Sequence, residues 1–169
     1  IRSIPDYPKK GILFRDITTL IKNKDAFKET LDQMSQILKK LSFDKFAAIE
    51  SRGFIFASAL AYNFSVPLIL LRKQNKLPAD RYSVEFQLEY GKSTLEIHKD
   101  SINSKEKIII IDDLIATGGS AEAGAKLVEK SEGVVQAFIF VINLFDLGGK
   151  KLLENKGYKT YSLIEFPGH

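Results

Sequence analysis

Cysteine is absent from the 169-residue chain, and histidine occurs only twice, as His98 and His169. Without cysteine there is no disulfide, no thiolate nucleophile and no sulfur-built metal site. Two isolated histidines also speak against a histidine-rich zinc centre. No apolar run approaches the roughly 18–20 residues that cross a bilayer, and Ile1-Arg2-Ser3 lacks the shape of a secretory signal. The expected compartment is therefore the cytoplasm, with no membrane partner. The chain opens without an initiator methionine, so a few leading residues are expected to be missing. Charge of neither sign dominates: 25 Lys and Arg against 21 Asp and Glu leave a net +4. That excess is read as a lysine-rich surface, not as a nucleic-acid footprint.

What is present fits an ordinary soluble domain, with 44% hydrophobic and 27% charged residues. The length predicts one domain over 1–169, with a core of its own. Phe27, Leu31, Met34, Leu38 and Leu41 recur at helical spacing, which predicts a helix over Ala26–Leu41 with Asp25 as its cap. Short apolar strands are expected at Lys45–Glu50, Pro67–Leu71, Lys107–Ile111, Val134–Ile142 and Thr160–Phe166. Helices are expected at Gly53–Phe64, Gly119–Lys130 and Gly149–Asn155. The β-branched run Lys107–Ile111 does not alternate, as befits a strand covered on both faces. Strand–helix repetition of this kind predicts an α/β fold, a mainly parallel sheet flanked by helices.

Two regions break that rhythm. Residues 1–20, punctuated by Pro5 and Pro8, are expected to be irregular with a short extended piece. Residues 73–99 leave the pattern as an excursion: a polar loop over Gln74–Ser83, then alternating stretches Glu85–Tyr90 and Ser93–His98 around a Gly91-Lys92 turn. The excursion is read as a lid; a passive surface hairpin is the plain alternative.

The chemistry concentrates in Ile108–Ser120, IIIIDDLIATGGS. In an open parallel sheet, ligands bind beyond the carboxyl ends of the strands. The run delivers Asp112 and Asp113 to that edge, followed by a turn into a helix. Gly118 and Gly119 let backbone N–H groups approach an anion closely. The helix N-terminus adds unpaired donors and its dipole, and Thr117 and Ser120 add hydroxyls. A monophosphate fits Ala116, Thr117, Gly118, Gly119 and Ser120. The two carboxylates would repel it; they suit a sugar diol or a magnesium ion, held directly or through water. The GxxxxGK[ST] lysine is missing, so this is not a P-loop.

This loop resembles the phosphoribosyl pyrophosphate (PRPP) motif of the type I phosphoribosyltransferases. Gly11–Thr18, Glu50–Phe54, Arg72–Pro78, Leu88–Gly91 and Leu95–Asp100 together resemble the adenine phosphoribosyltransferase family, in order and over nearly the whole chain. The resemblance implies the type I phosphoribosyltransferase fold, with residues 1–20 as a small hood and 73–99 as a flexible lid hairpin. It also implies transfer of 5-phosphoribosyl from PRPP to adenine, giving AMP and pyrophosphate, with Mg2+ and in a homodimer. Mg2+ would be held mainly through PRPP and water, with Asp112 or Asp113 as possible protein ligands.

Carried over residue by residue, the resemblance implies 5-phosphate binding at Ala116–Ser120 and ribose contacts from Asp112 and Asp113. Ser51, Arg52 and Lys76 would hold pyrophosphate, with Arg52 and Lys76 also counted as catalytic beside the acid/base Glu89. Leu13, Phe14, Arg15 and Leu114 would surround adenine. Elementary chemistry favours such groups: a guanidinium and an ammonium stabilise departing pyrophosphate, and a carboxylate suits proton removal from adenine N9. Plainer readings are a surface Arg52, a solvated Lys76 or Glu89 and a core Phe14. Ser120 replaces the commoner threonine but keeps the hydroxyl, and Asn75 stands where a small glycine is often found. Competing functions are a phosphoribosyltransferase for another purine base, and a non-catalytic PRPP-sensing regulator. The regulator usually carries an added DNA-binding segment, for which this short chain leaves no room.

Overall fold

A computed structural model describes residues 1–88 and 91–169. Its centre is a seven-stranded sheet. In chain order the strands are β3 (Lys45–Ile49), β4 (Leu68–Lys73), β5 (Arg81–Leu88), β6 (Gly91–His98), β7 (Lys107–Ile115), β8 (Val134–Leu144) and β9 (Thr160–Phe166). Their spatial order is β5-β6-β4-β3-β7-β8-β9. The five strands from β4 to β9 across the sheet run parallel, and β6 pairs antiparallel with both β4 and β5. The expected mainly parallel α/β sheet is what the chain builds.

The helices cover both faces because the central strands are apolar on both. On β7, Ile108 and Ile110 face one core with α4 (Gly119–Lys130) and α5 (Gly149–Asn155). Ile109 and Ile111 face the other, with α2 (Lys24–Leu38) and α3 (Gly53–Phe64). All four isoleucines are fully buried. At about 25 cal/mol per Å2 of apolar surface, each contributes roughly 1.5–3 kcal/mol. α2 begins earlier than the spacing predicts and ends before Leu41. Its cap is Asn23, not Asp25: the Asn23 Oδ1 accepts from the backbone N–H groups of Asp25 (3.1 Å) and Ala26 (3.0 Å). Asn23 wins because it takes the extended backbone from which a side chain can reach those donors.

The opening residues are more regular than their prolines imply. β1 (Arg2–Pro5) pairs antiparallel with β2 (Leu13–Asp16), and the short α1 (Thr18–Ile21) follows. The later excursion also differs in detail. β5 starts at Arg81, inside the expected polar loop, because Arg81, Tyr82 and Ser83 pair with His98, Ile97 and Glu96. Gly91 and Lys92 lie within β6, opposite Leu88 and Gln87, and so do not form the turn. The hairpin is not detached. β6 joins the sheet edge through Arg72–Glu96 and Lys73–Leu95, while Tyr82, Val84 and Phe86 of β5 pack on the core that holds α4.

β7 outlasts its expected end. Pairing with β3 stops at Ala48–Ile111, but pairing with β8 continues through Ile115–Asn143. Asp112 and Asp113 are therefore strand residues. Beyond Ile111 one edge of β7 stands open, which puts both acids at the carboxyl end of the sheet, beside the gap next to β3.

Candidate active site

Gly118 starts the phosphate-sized cradle. It caps α4 with φ +90°, a conformation in which a side chain would be strained. Glu122 N–H donates to the Gly118 carbonyl (2.9 Å), which closes the first helical turn. The loop is buttressed from behind by α5. Gly149 N–H donates to the Ala116 carbonyl (3.0 Å), and a Cβ at Gly149 would overlap that same oxygen. The loop thus rests on the backbone of a helix some thirty positions further along the chain.

The open edge of β7 receives α3. A Cβ at Gly53 would come within 2.8 Å of the Ile111 carbonyl and 2.9 Å of Asp112 Oδ1, so only glycine lets α3 dock this closely. That docking delivers Arg52. Its Nε lies 2.7 Å from Asp113 Oδ2, an ion pair without hydrogen-bond alignment, and its guanidinium sits 5.3 Å over the Phe14 ring. Asp112 Oδ1 accepts from Asp113 N–H (2.8 Å). Burial, and then the neighbouring Asp113 charge, hold the Asp112 carboxyl well above the usual carboxylate range.

Glu50, at the end of β3, is surrounded by cations. Its Oε1 meets Lys76 Nζ at 2.6 Å and an Arg72 guanidinium nitrogen at 3.4 Å, and its Oε2 accepts from Lys73 N–H (2.8 Å). Burial pushes the Glu50 carboxyl up. The bonds from Lys76, the Lys73 backbone and Arg72 outweigh burial and leave it below its ordinary value. The Glu50–Ser51 peptide is cis.

Two cavities adjoin here. One, of about 500 Å3, is walled by Ser51, Arg52, Lys73, Asp112, Asp113 and Ala116–Ser120, with Phe86, Gln87 and Leu88 of the hairpin across from them. The second, of about 210 Å3, is enclosed by Leu13, Phe14, Arg15, Leu114, Leu144 and Leu147. Arg52, Leu114 and Ala116 belong to both walls. A polar chamber with an anion cradle therefore opens onto an apolar chamber the size of a small aromatic ring system.

Known proteins share this sequence and fold. Residues 16–167 match the family model described as phosphoribosyl transferase domain. An adenine phosphoribosyltransferase of Pelagibacter ubique is 63% identical over 169 residues, covering 100% of this chain and 97% of that protein. The chain belongs to the adenine phosphoribosyltransferase family. Among solved structures of the family, the enzyme from Thermoanaerobacter pseudethanolicus superposes with a TM-score of 0.94 at 47% identity, covering 98% of this chain and 95% of the other. The Saccharomyces cerevisiae enzyme, complexed with adenine and an imino-altritol bisphosphate, gives 0.90 at 34% identity, covering 96% and 93%.

With the family in hand, the positions read from sequence fall into three groups. Ser51, Arg52, Asp112, Asp113 and Ala116–Ser120 share the larger cavity, and Leu13, Phe14, Arg15 and Leu114 share the smaller. Lys76 does not line the larger cavity; it is paired with Glu50, and Lys73 takes the wall position. Glu89 lies outside the described residues. Sequence reasoning missed Lys73, Gly149, Leu144, Leu147 and Gly168. For Gly149 a signal existed: the pair Gly148-Gly149 opens a helix much as Gly118-Gly119 does.

Proposed function

We propose that the chain transfers the 5-phosphoribosyl group of PRPP to adenine, yielding AMP and pyrophosphate, a purine-salvage step. The observation that carries this reading is the shared wall of the two cavities: an anion cradle with a carboxylate pair opens directly onto an apolar slot at Arg52 and Leu114. In this assignment the 5-phosphate sits on the N–H donors and hydroxyls of Ala116–Ser120, and the ribose hydroxyls donate to Asp112 and Asp113. Pyrophosphate faces Ser51, Arg52 and Lys73, with Lys76 in reserve behind Glu50. Adenine occupies the slot of Leu13, Phe14, Arg15 and Leu114. The β1–β2 segment acts as the hood over that slot and the β5–β6 hairpin as the lid over the donor.

The reaction forms the bond from adenine N9 to ribose C1 and breaks the bond from C1 to the pyrophosphate oxygen. The leaving group carries away the electron pair, and Arg52 and Lys73 stabilise its charge. Glu89 takes the N9 proton. The lid excludes water from a ribose carbon that is briefly cation-like.

Magnesium is part of this reading. Among the described residues no group of three or more His, Asp or Glu converges on one point. The pair Asp112 and Asp113, whose Oδ2 lacks an aligned donor, fits a cation that arrives with the diphosphate and keeps its waters. When bound, the ion neutralises diphosphate charge. A homodimer belongs to the same reading, with exposed Ile55 and Tyr62 of α3 and Leu70 of β4 as apolar surface for it; sedimentation tests it. No helix among the described residues is long and apolar enough to cross a membrane, and a cytoplasmic setting is proposed.

The deciding experiment is turnover of adenine, hypoxanthine, guanine and xanthine with PRPP and Mg2+. AMP formation from adenine, with little product from the others, is expected. Equal use of hypoxanthine would refute the base assignment and leave the donor site standing.

A further inference from the structure

Among the described residues, Arg15 is a buried cation without a carboxylate partner. It is 6% exposed, and no ion pair engages it among the described residues. A buried guanidinium in that state is costly unless its donors are met in another way. Its NH1 donates to Ser3 Oγ (2.5 Å), across the β1–β2 ribbon, and its NH2 to the Pro167 carbonyl (2.6 Å). Its carbon Cζ lies 4.8 Å over the Phe166 ring. Arg15 thus ties the residues after β9 to the strand that walls the apolar slot.

The same residues are held from a second side. Gly168 N–H donates to Asp146 Oδ1 (2.6 Å), and a Cβ on Gly168 would overlap Leu147. Gly168 and His169 then complete the wall of the 210 Å3 cavity, with Leu144 and Leu147 beside them. No local propensity places Pro167–His169 there; the placement comes from the two anchors.

We infer that the stretch Phe166–Gly168 is held to close one wall of the base slot through Gly168, and that Arg15 and Asp146 are positioning residues that set base affinity by clasping it. The inference rests on the proposed adenine reading. Asp146 separates the clasp from general stability, because it is exposed and touches the wall through a single bond. Asp146→Ala removes the acceptor, whereas Asp146→Asn keeps an oxygen in its place.

The test is steady-state kinetics of wild type and both variants with adenine and PRPP varied separately. Asp146→Ala is expected to raise the KM for adenine about tenfold, equivalent to about 1.4 kcal/mol, with the KM for PRPP within about twofold of wild type. Asp146→Asn is expected to recover most of the adenine KM. A rise for adenine below about threefold, an equal rise for both substrates, or an Asp146→Asn no better than Asp146→Ala overturns the clasp. A wild type that ignores adenine would instead refute the proposed function.

Discussion

Gly149→Ala tests whether the phosphate cradle depends on the helix behind it. The added Cβ would overlap the Ala116 carbonyl oxygen and stand 2.7 Å from Gly118 N and 2.9 Å from Ile115 Cγ1. Two of these neighbours are backbone, so no side-chain rotation relieves them. The Gly149 N–H bond to Ala116 would stretch as the elements part, at a cost of about 1 kcal/mol. Overpacking adds roughly 1–3 kcal/mol. Against this, alanine is the better helix former by about 1 kcal/mol. The net loss of stability is therefore about 1–3 kcal/mol, or roughly 2–10 °C in Tm for a domain of this size.

The functional effect should be larger and selective. If the loop moves by a few tenths of an ångström, one or two charge-assisted bonds to the 5-phosphate weaken. At about 1.5–3 kcal/mol each, that predicts a KM for PRPP raised by roughly 10- to 100-fold. Gly149 does not itself line the base slot and reaches its wall through Ala116, so the KM for adenine should rise less than the KM for PRPP. Initial-rate kinetics with each substrate varied, alongside thermal melts, reads all three quantities. A variant with normal PRPP affinity would show that the loop holds its shape without α5, and the buttress argument would fail.

Glu89→Gln should lower kcat by roughly 10²–10⁴-fold if Glu89 is the acid/base; wild-type turnover would remove it from the mechanism. Glu96→Ala should cost about 2–3 kcal/mol in urea melts, because the buried Glu96 accepts from Asn75 N–H (2.6 Å), Arg81 Nε (2.9 Å) and Ser83 Oγ (2.6 Å) at the root of the hairpin. The two perturbed aspartates should respond to pH with opposite signs. Asp16, held by the Thr18 backbone N–H and by Arg2, is lowered from 3.8 to about 2, so its contribution is present above about pH 4 and lost as pH falls toward 2; melts of Asp16→Asn should converge on wild type across that window. The Asp112 carboxyl is raised, so its favourable contribution is complete below about pH 3.8 and is lost as pH rises through the higher folded value. Asp112→Asn, which keeps an acceptor for Asp113 N–H, should therefore gain Tm relative to wild type as pH rises and lose activity; parallel melting curves would contradict this.

What could be read from sequence was what is encoded locally. Strand β7, helix α4 and the acids between them are adjacent in the chain, and each residue type there has its own physical use, so Asp112–Ser120 was legible. The boundaries of α3, α4, α5 and β9 coincide with the expected ones because glycine, apolar periodicity and turns mark them. Features that depend on distant partners were not legible. β7 extends past Ile111 only because β8 continues to pair with it. Arg81–Ser83 become strand only because β6 and Glu96 lie opposite. Lys76 looks free in sequence, yet the carboxylate at the end of a strand far upstream claims it. The motif fixed which cations gather near Glu50, but not which of them faces the cavity.

In the proposed reading, the charge layout favours one orientation of a doubly phosphorylated sugar over the other. Glu50 pairs with two cations, Arg72 and Lys76, and Lys73 and Arg52 stand with it on the same cavity wall. That end of the cavity is net positive. The middle is held by Asp112 and Asp113, and the far end by Ala116–Ser120, which contributes uncharged donors and a helix N-terminus. The cradle satisfies a monophosphate by hydrogen bonds but offers no full positive charge for a diphosphate. In the reversed pose a diphosphate would crowd the cradle next to two carboxylates, and a single phosphate would leave the cations around Glu50 under-used. At an effective dielectric of about 20, two unit charges 4 Å apart interact by about 4 kcal/mol, so misplacing even one phosphate charge is decisive. The forward pose also turns the ribose carbon that bears the diphosphate toward Arg52, the residue common to both cavities. In that reading the base slot opens at the same point, so Arg52, which lines both cavities, would serve both the orientation of the donor and the placement of the acceptor.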